Sequence, residues 1–374
     1  MVIKEKKYII VFGNLLSYSK VISTLLNRYG IDAISIDSTK EPRVTPYFIA
    51  PFKLENTSVE YLVQHSSLVI SLGPTALHEL GRLTSIKEFL IKRKKIAVIT
   101  QGSDITEFID SPSMYGLLYR FLLRRSVFNL LCPYKATVSK FLNHSITNMF
   151  WSRLPHALPD FSRKSKHNKK KRLQFFHPSN LDWAHTDNKS GRNSTKGNDR
   201  FLRAFKKAID HGIKVHCHIL DRGPDRLLAR KFIEENNLQL FFTWHNDMNR
   251  KELYALMRES DIIVDQFDVG GLGGIACEAM AQRKPVMIYM DKNCWPLVYR
   301  EEPPVINCHT EDEIYQAILK WSDRKTLQEL GENAEKWIRK YHDIHTADFS
   351  EFILRVCLAA GLEWPRKDLA RPRN

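Results

Sequence analysis

Short apolar runs alternate with longer stretches of helical periodicity along almost the whole chain. Residues 8–12 predict a buried strand, 17–29 a helix closed by Gly30, and 33–36 a returning strand. Residues 68–72 and 96–100 continue the strand series, with helical segments between them, and 136–138 predicts a further short strand. The alternation lapses around 151–172 and then restarts. Strands are predicted over 173–176, 215–220, 240–243, 262–265 and 285–289, and helices over 199–211, 224–236, 250–260 and 273–283. Thr310 and Glu313 form a capping box that opens another helix, and helices continue to about residue 360. Strands that are apolar on both sides, each followed by a helix, form parallel sheets covered on both faces. The fold class predicted is α/β: two parallel-sheet domains facing across a cleft, with C-terminal helices. The first domain spans 1–160, a basic linker 161–172 and the second domain 173–345. Residues 346–374 form a closing helix and basic tail.

The length of 374 residues suits two domains, since single cores stop growing near ~250–300 residues. A hydrophobic content of 43% fills a core in each. The formal charge of +15 favours anionic partners: phosphorylated substrates, an anionic membrane face or nucleic acid. Aromatic-plus-glycine nucleic-acid motifs are absent, which makes nucleic acid the weakest of the three. Seven of the ten residues 163–172 are Lys or Arg, a self-repelling run expected to stay solvated as a connection. The six cysteines show no paired or metal-finger spacing, which points to a reducing compartment. The N-terminal apolar run is too short for a signal segment, and no run approaches ~18 apolar residues, so a cytoplasmic protein is expected.

The most informative stretch is 261–289, DIIVDQFDVGGLGGIACEAMAQRKPVMIY. It predicts a buried strand, a glycine-rich turn, a helix and a second buried strand. Gly270, Gly271, Gly273 and Gly274 flank Leu272 and let the backbone approach a ligand closely. The following helix start offers unpaired N–H groups to an anion. Glu278 stands about a turn further on, where a carboxylate can accept hydrogen bonds from sugar hydroxyls. A nucleoside diphosphate with its ribose fits that layout.

The string GGLGGIACEAMAQRKPVMIY resembles the donor-site signature of family 4 retaining glycosyltransferases of the GT-B architecture, which has two Rossmann-like domains. In that signature two glutamates stand eight positions apart. The resemblance implies that Glu278, matching the second, holds the donor ribose. Gly270 stands where the first, which contacts the transferred sugar, is usual. Branches with Asp-Gln ahead of the turn, as in Asp265 and Gln266, carry glycine there. KGNDRFLRAFKKA resembles the family's Lys-Gly helix start, which implies that Lys196 meets the donor diphosphate as a point charge. The family's arginine after the preceding strand is missing from FFHPSNLDW, where Asn180 stands near its place, and Arg192 is a substitute cation. HILDRGP resembles the Gly-x-Gly-Pro turn with Asp221 for the first glycine. His245, after the next strand, would lie beside the base, or serve as a structural histidine. VITQGSDITEF resembles the family's His-Gly-Ser-Asp segment, with Gln101 in the histidine's place. It offers Asp104 to orient hydroxyls, or as a helix N-cap. Gly13 and Asn14 would close the first strand in a turn facing the same cleft.

The resemblance implies a glycosyltransferase that moves a sugar from a nucleotide-sugar donor to a sugar, lipid-linked or polysaccharide acceptor. Transfer would proceed with retention and no metal or other cofactor, with Asp104 and Lys196 as the catalytic candidates. Alternatives are a non-catalytic nucleotide-sugar or membrane-binding protein on the same scaffold, or another nucleotide-sugar enzyme such as an epimerase or a phosphorylase. Residues 115–131 predict one helix that groups Arg120, Arg124 and Arg125 opposite Leu and Phe. Such a helix can lie in an anionic membrane interface, or can simply cover the sheet with its arginines in solvent.

Overall fold

The computed structural model describes residues 7–13, 18–37, 59–100, 108–132, 134, 137–159, 172–184, 195–321 and 323–364. The chain divides into two compact units, and the C-terminal segment from Asp343 belongs with the first.

In the first unit, β1 (Ile9–Gly13), β2 (Ala33–Asp37), β3 (Leu68–Leu72), β4 (Ile96–Ile99), β5 (Asn129–Leu131) and β6 (Met149–Trp151) form one parallel sheet in the order β2-β1-β3-β4-β5-β6. Its helices are α1 (Tyr18–Arg28), α2 (Val59–His65), α3 (Thr75–Ser85), α4 (Met114–Arg125) and α5 (Thr137–Asn143), with a wide helical turn at Ile86–Ile91. Alternate strand residues serve opposite faces. Ile9, Val11, Ile70 and Ile99 pack against α1, whereas Ile10, Phe12, Val69 and Val98 pack with Leu62, Leu77, Tyr119 and Leu122 of the other helices. Both faces are apolar, which explains why these strands read as unbroken hydrophobic runs.

In the second unit, β7 (Leu173–His177), β8 (Val215–Leu220), β9 (Phe242–His245), β10 (Ile262–Val264), β11 (Val286–Ile288) and β12 (Ile306–Asn307) form a second parallel sheet, ordered β12-β11-β10-β7-β8-β9. Helices α6 (Asn198–Asp210), α7 (Arg226–Glu235) and α10 (Glu311–Lys320) cover one face. Helices α8 (Arg250–Glu259), α9 (Gly274–Ala281) and α11 (Arg324–His342) cover the other. The capping box at Thr310 is present, with its hydroxyl accepting from Glu313 N–H. After α11 the chain returns to the first unit, where α12 (Ser350–Ala360) buries Phe352, Ile353 and Val356 against the same face as α1.

Two expectations need correction. Residues 137–138 lie in α5 and not in a strand. The helix expected over 115–131 ends at Arg125, and β5 follows it. Ser126 terminates it: its N–H donates to Leu122 O and its hydroxyl to Asn129 Oδ1, while the Asn129 amide donates to Leu123 O. All six cysteines are free and buried, as core residues. Among the described residues no helix is long and apolar enough to cross a membrane.

Candidate functional site

Strands β10 and β7 are neighbours, and the loops leaving their C-terminal ends are tied together by main-chain bonds. Lys196 donates its N–H to Asp182 O and accepts from Phe267 N–H, both at 2.7 Å. Asn198, fully buried at the start of α6, knits the same place together. Its amide donates to His177 Nε2 at 3.0 Å and to Asp265 O at 3.2 Å, and its Oδ1 accepts from Asp182 N–H at 3.1 Å. This is the carboxyl edge of a parallel sheet, where such sheets bind ligands.

The glycine turn is built from within. Gln266, 4% exposed, donates from Nε2 to Gly271 O and accepts at Oε1 from Val269 N–H, each at 2.7 Å. Gly270 sits at φ +79°, and a Cβ there would lie 3.0 Å from Asp291 Cβ. The turn therefore demands glycine where the family resemblance puts a glutamate. A Cβ on Gly273 would meet Asp265 Oδ2 at 3.0 Å, so within the run Gly271, Leu272, Gly273 and Gly274 the turn passes, at Gly273, close to the residue that follows β10. Gly273 caps α9 with no side chain, which leaves the first N–H groups of that helix available to an anion.

Charges of both signs meet here: Asp265 lies under the turn and Asp268 is paired with Arg200, beside the cations Lys196 and Arg222. His177 is fully buried, and burial first, then the nearby Lys196 and Arg222 cations, bring its imidazole down to about 3. It stays neutral at physiological pH. Arg222, just past β8, donates to Pro178 O at 2.6 Å and approaches Asp247 at 3.9 Å. Its guanidinium thus reaches the segment that follows β7 and carries the exposed Asn180, where the family's arginine was sought. The sequence reading missed Arg222 because it comes from the next strand's turn; its place next to Asp221 in the Asp-Arg-Gly-Pro string was the available signal.

Glu278 lies on α9, 9% exposed, and is paired with Arg250 from the first turn of α8. Burial pushes its carboxyl up, opposed by the Arg250 charge. Arg250 also donates to Tyr254 Oη at 3.0 Å, and burial with the Glu278 charge pushes that phenol up to about 12. Arg250, too, was absent from the sequence candidates: its partner comes from a different helix.

The remaining candidates are dispersed. His245 ends β9, with β7 and β8 between it and β10; its Nε2 meets His218 Nδ1 at 2.9 Å, and burial lowers its pKa. Gly13 ends β1 in the first unit, where a Cβ would meet Leu72 Cδ1 at 2.6 Å and Ser19 Cβ at 3.0 Å. It is needed for the close approach of α1. Asn14, Asp104 and Arg192 lie outside the described residues.

Residues 190–337 match the family model for glycosyl transferases group 1. That segment contains Lys196, Arg222, the glycine turn and Glu278. No curated protein sequence matches the chain. Among solved structures, a glycosyltransferase from Rickettsia africae is similar with a TM-score of 0.59 at 12% identity, covering 94% of this chain and 97% of that one. The sucrose-phosphate synthase of Thermosynechococcus elongatus gives 0.56 at 11% identity, over 94% and 98%. S. aureus TarM, solved with UDP and a GlcNAc-glycerol, gives 0.55 at 15% identity, over 78% of this chain but 55% of TarM. The chain thus spans about half of TarM's length. The two six-stranded parallel sheets are those of the GT-B architecture, and the family match supports sugar transfer as the class of chemistry.

Proposed function

We propose that this chain is a retaining glycosyltransferase that takes a sugar from a nucleotide-sugar donor without a metal ion or other cofactor. The observation that carries the reading is the main-chain tie of Lys196 to Phe267, which sets a cation at the end of the strand that leads into the glycine turn. In this reading the donor diphosphate lies against the turn and the first N–H groups of α9. Lys196 and Arg222 neutralise its charge, and stabilising the departing diphosphate is the main catalytic contribution. Glu278, held by Arg250 and Tyr254, would meet the ribose hydroxyls. His245 would flank the base, and Asn180 would border the phosphates. Gly13 and Asn14 would serve the donor, and Asp104 would orient acceptor or donor hydroxyls. The acceptor is a lipid-linked sugar at an anionic membrane surface, with a soluble polysaccharide as the other acceptor class, and the protein works in the cytoplasm.

One observation favours a second reading, a nucleotide-sugar-binding protein without transfer activity. Gly270 cannot carry the sugar-contacting acid, and its left-handed backbone resists any replacement. Product analysis decides between the two. The chain is incubated with UDP-, GDP- and ADP-sugars and lipid extracts, with and without EDTA, and nucleoside diphosphate release and product anomeric configuration are followed. Release that survives EDTA, with a retained anomer, supports the transferase. Donor binding with no release supports the binding protein.

A further inference from the structure

Helix α4 turns apolar side chains outward. Met114 is 61% exposed, Leu117 50% and Phe121 36%, while Tyr119, Leu122 and Leu123 on the other side are buried in the core. At 3.6 residues per turn, Met114, Leu117, Phe121, Arg124 and Arg125 fall within an arc of about 100°. The helix therefore carries an apolar stripe running into two arginines on one solvent face. This differs from the sequence expectation, which set arginines opposite the apolar residues. Arg120 is used internally, donating to Ile109 O and Ser111 O at 2.7 and 2.8 Å.

The wide helical turn lies alongside. Ile86, Phe89 and Leu90 line a shallow groove with Leu118, Phe121 and Leu122 of α4. The turn ends at Ile91, 72% exposed, and the run Lys92, Arg93, Lys94, Lys95 follows. Lys92 is paired with Glu88. Arg93, Lys95, Arg124 and Arg125 have no carboxylate partner among the described residues, whereas the half-buried Lys94 feels Glu88 and donates to Gln64 O at 2.9 Å. Exposed apolar side chains with exposed arginines beside them on the same helix face match a bilayer's acyl edge and its anionic headgroups.

We propose that α4 and the adjoining Ile91–Lys95 segment form a docking surface for an anionic lipid bilayer. This deepens the membrane-bound acceptor reading by naming the surface that would meet the lipid. Charge selects the bilayer over a second copy of the chain: apposing two such faces would bring the same arginines together on a protein already at +15. Met114, Leu117, Phe121 and Ile91 would enter the interface, with Arg93, Arg124 and Arg125 at headgroup level.

The test is co-sedimentation of the full chain with phosphatidylcholine vesicles, with and without phosphatidylglycerol. Wild type should bind the anionic vesicles and bind more weakly as salt rises. Leu117→Ser/Phe121→Ser should bind at least about tenfold more weakly, given the apolar area removed. Arg124→Glu/Arg125→Glu should lose the preference for phosphatidylglycerol. Both variants should melt within a few degrees of wild type and keep the donor-induced thermal shift, so failure here is distinguishable from failure of the transferase reading. No binding to anionic vesicles, or binding unchanged in Leu117→Ser/Phe121→Ser, would overturn the proposal. So would a wild-type dimer in sedimentation velocity that this variant turns into a monomer, since the stripe would then belong to a second copy.

Discussion

The carbonyl of Lys196 accepts the N–H of Phe267 at 2.7 Å, so the lysine's place at the end of the second sheet is set by main chain and not by side-chain contacts. Among the described residues no side chain is hydrogen-bonded or ion-paired to the ammonium, which leaves it available for a ligand. Removing the side chain should therefore cost function without costing the fold. The same logic separates the site's other residues into those that build the turn and those that meet the donor.

Gln266 builds it. Replacing it with Leu removes both bonds across the turn and leaves Val269 N–H and Gly271 O unsatisfied under cover. The expected cost is about 2–3 kcal/mol. Urea denaturation of Gln266→Leu should show a lower midpoint at an unchanged slope. Gln266→Glu should be destabilised as well, since it retains the acceptor for Val269 but turns an oxygen toward the Gly271 carbonyl.

Gly270→Glu restores the family's acid in sequence and should not restore it in space. The left-handed φ of +79° and a Cβ only 3.0 Å from Asp291 Cβ make any side chain strained. A loss of about 2 kcal/mol is expected, with no gain in turnover. Calorimetry with a donor-hydrolysis assay checks both. An unaltered melting temperature would show that the turn relaxes freely.

Arg250 and Glu278 should behave as a unit. Arg250→Met leaves a buried carboxylate without its cation, at a cost of about 3–5 kcal/mol. Burial already pushes Glu278 up, and without Arg250 it moves further from its ordinary value. A folded-state pKa raised above the unfolded one gives stability that is present at low pH and lost as pH rises through the folded value. Arg250→Met should thus lose stability from mildly acidic toward neutral pH. Arg250→Met/Glu278→Gln should lose less than the single variant, as a double-mutant cycle by urea denaturation would show.

How much of this was legible in the sequence differs from element to element. The strands β1, β3 and β4 were readable because both faces are buried, which leaves almost no polar alternation to blur the pattern, whereas β8 was readable from its alternate apolar positions between the half-buried His216 and His218. The helix to strand switch after Arg125 was not, because 126–131 carries neither glycine nor proline and the stop comes from a buried Ser126–Asn129 knot. The glycine turn and Glu278 announced themselves through local spacing. Arg222 and Arg250 did not, since each gains its meaning from a partner on another element: Pro178 for one, Glu278 for the other. Gly270 was visible as a departure from a family pattern, but the reason for it required the backbone angle.

His177 should make the second unit acid-sensitive. Its folded-state pKa of about 3 lies below the ordinary 6.5, so the unfolded chain binds the proton first as pH falls. Stability is complete above about pH 6.5 and declines toward the folded value, by roughly 1.4 kcal/mol per pH unit from this group. Urea midpoints between about pH 6.5 and 4.5, above the carboxylate range, should slope downward in wild type. The slope should flatten in His177→Gln. An equal slope in both would assign the acid sensitivity elsewhere.

The central claim is that Lys196 and the glycine turn hold the diphosphate of a nucleotide-sugar donor. Isothermal titration of UDP-, GDP- and ADP-sugars into wild type and Lys196→Ala, both checked by melting temperature, tests it most directly. One donor should bind wild type and bind the variant at least about tenfold more weakly, as the loss of a charge-assisted phosphate contact implies. Equal affinity in the two folded proteins, or no binding of any donor to wild type, would contradict the account.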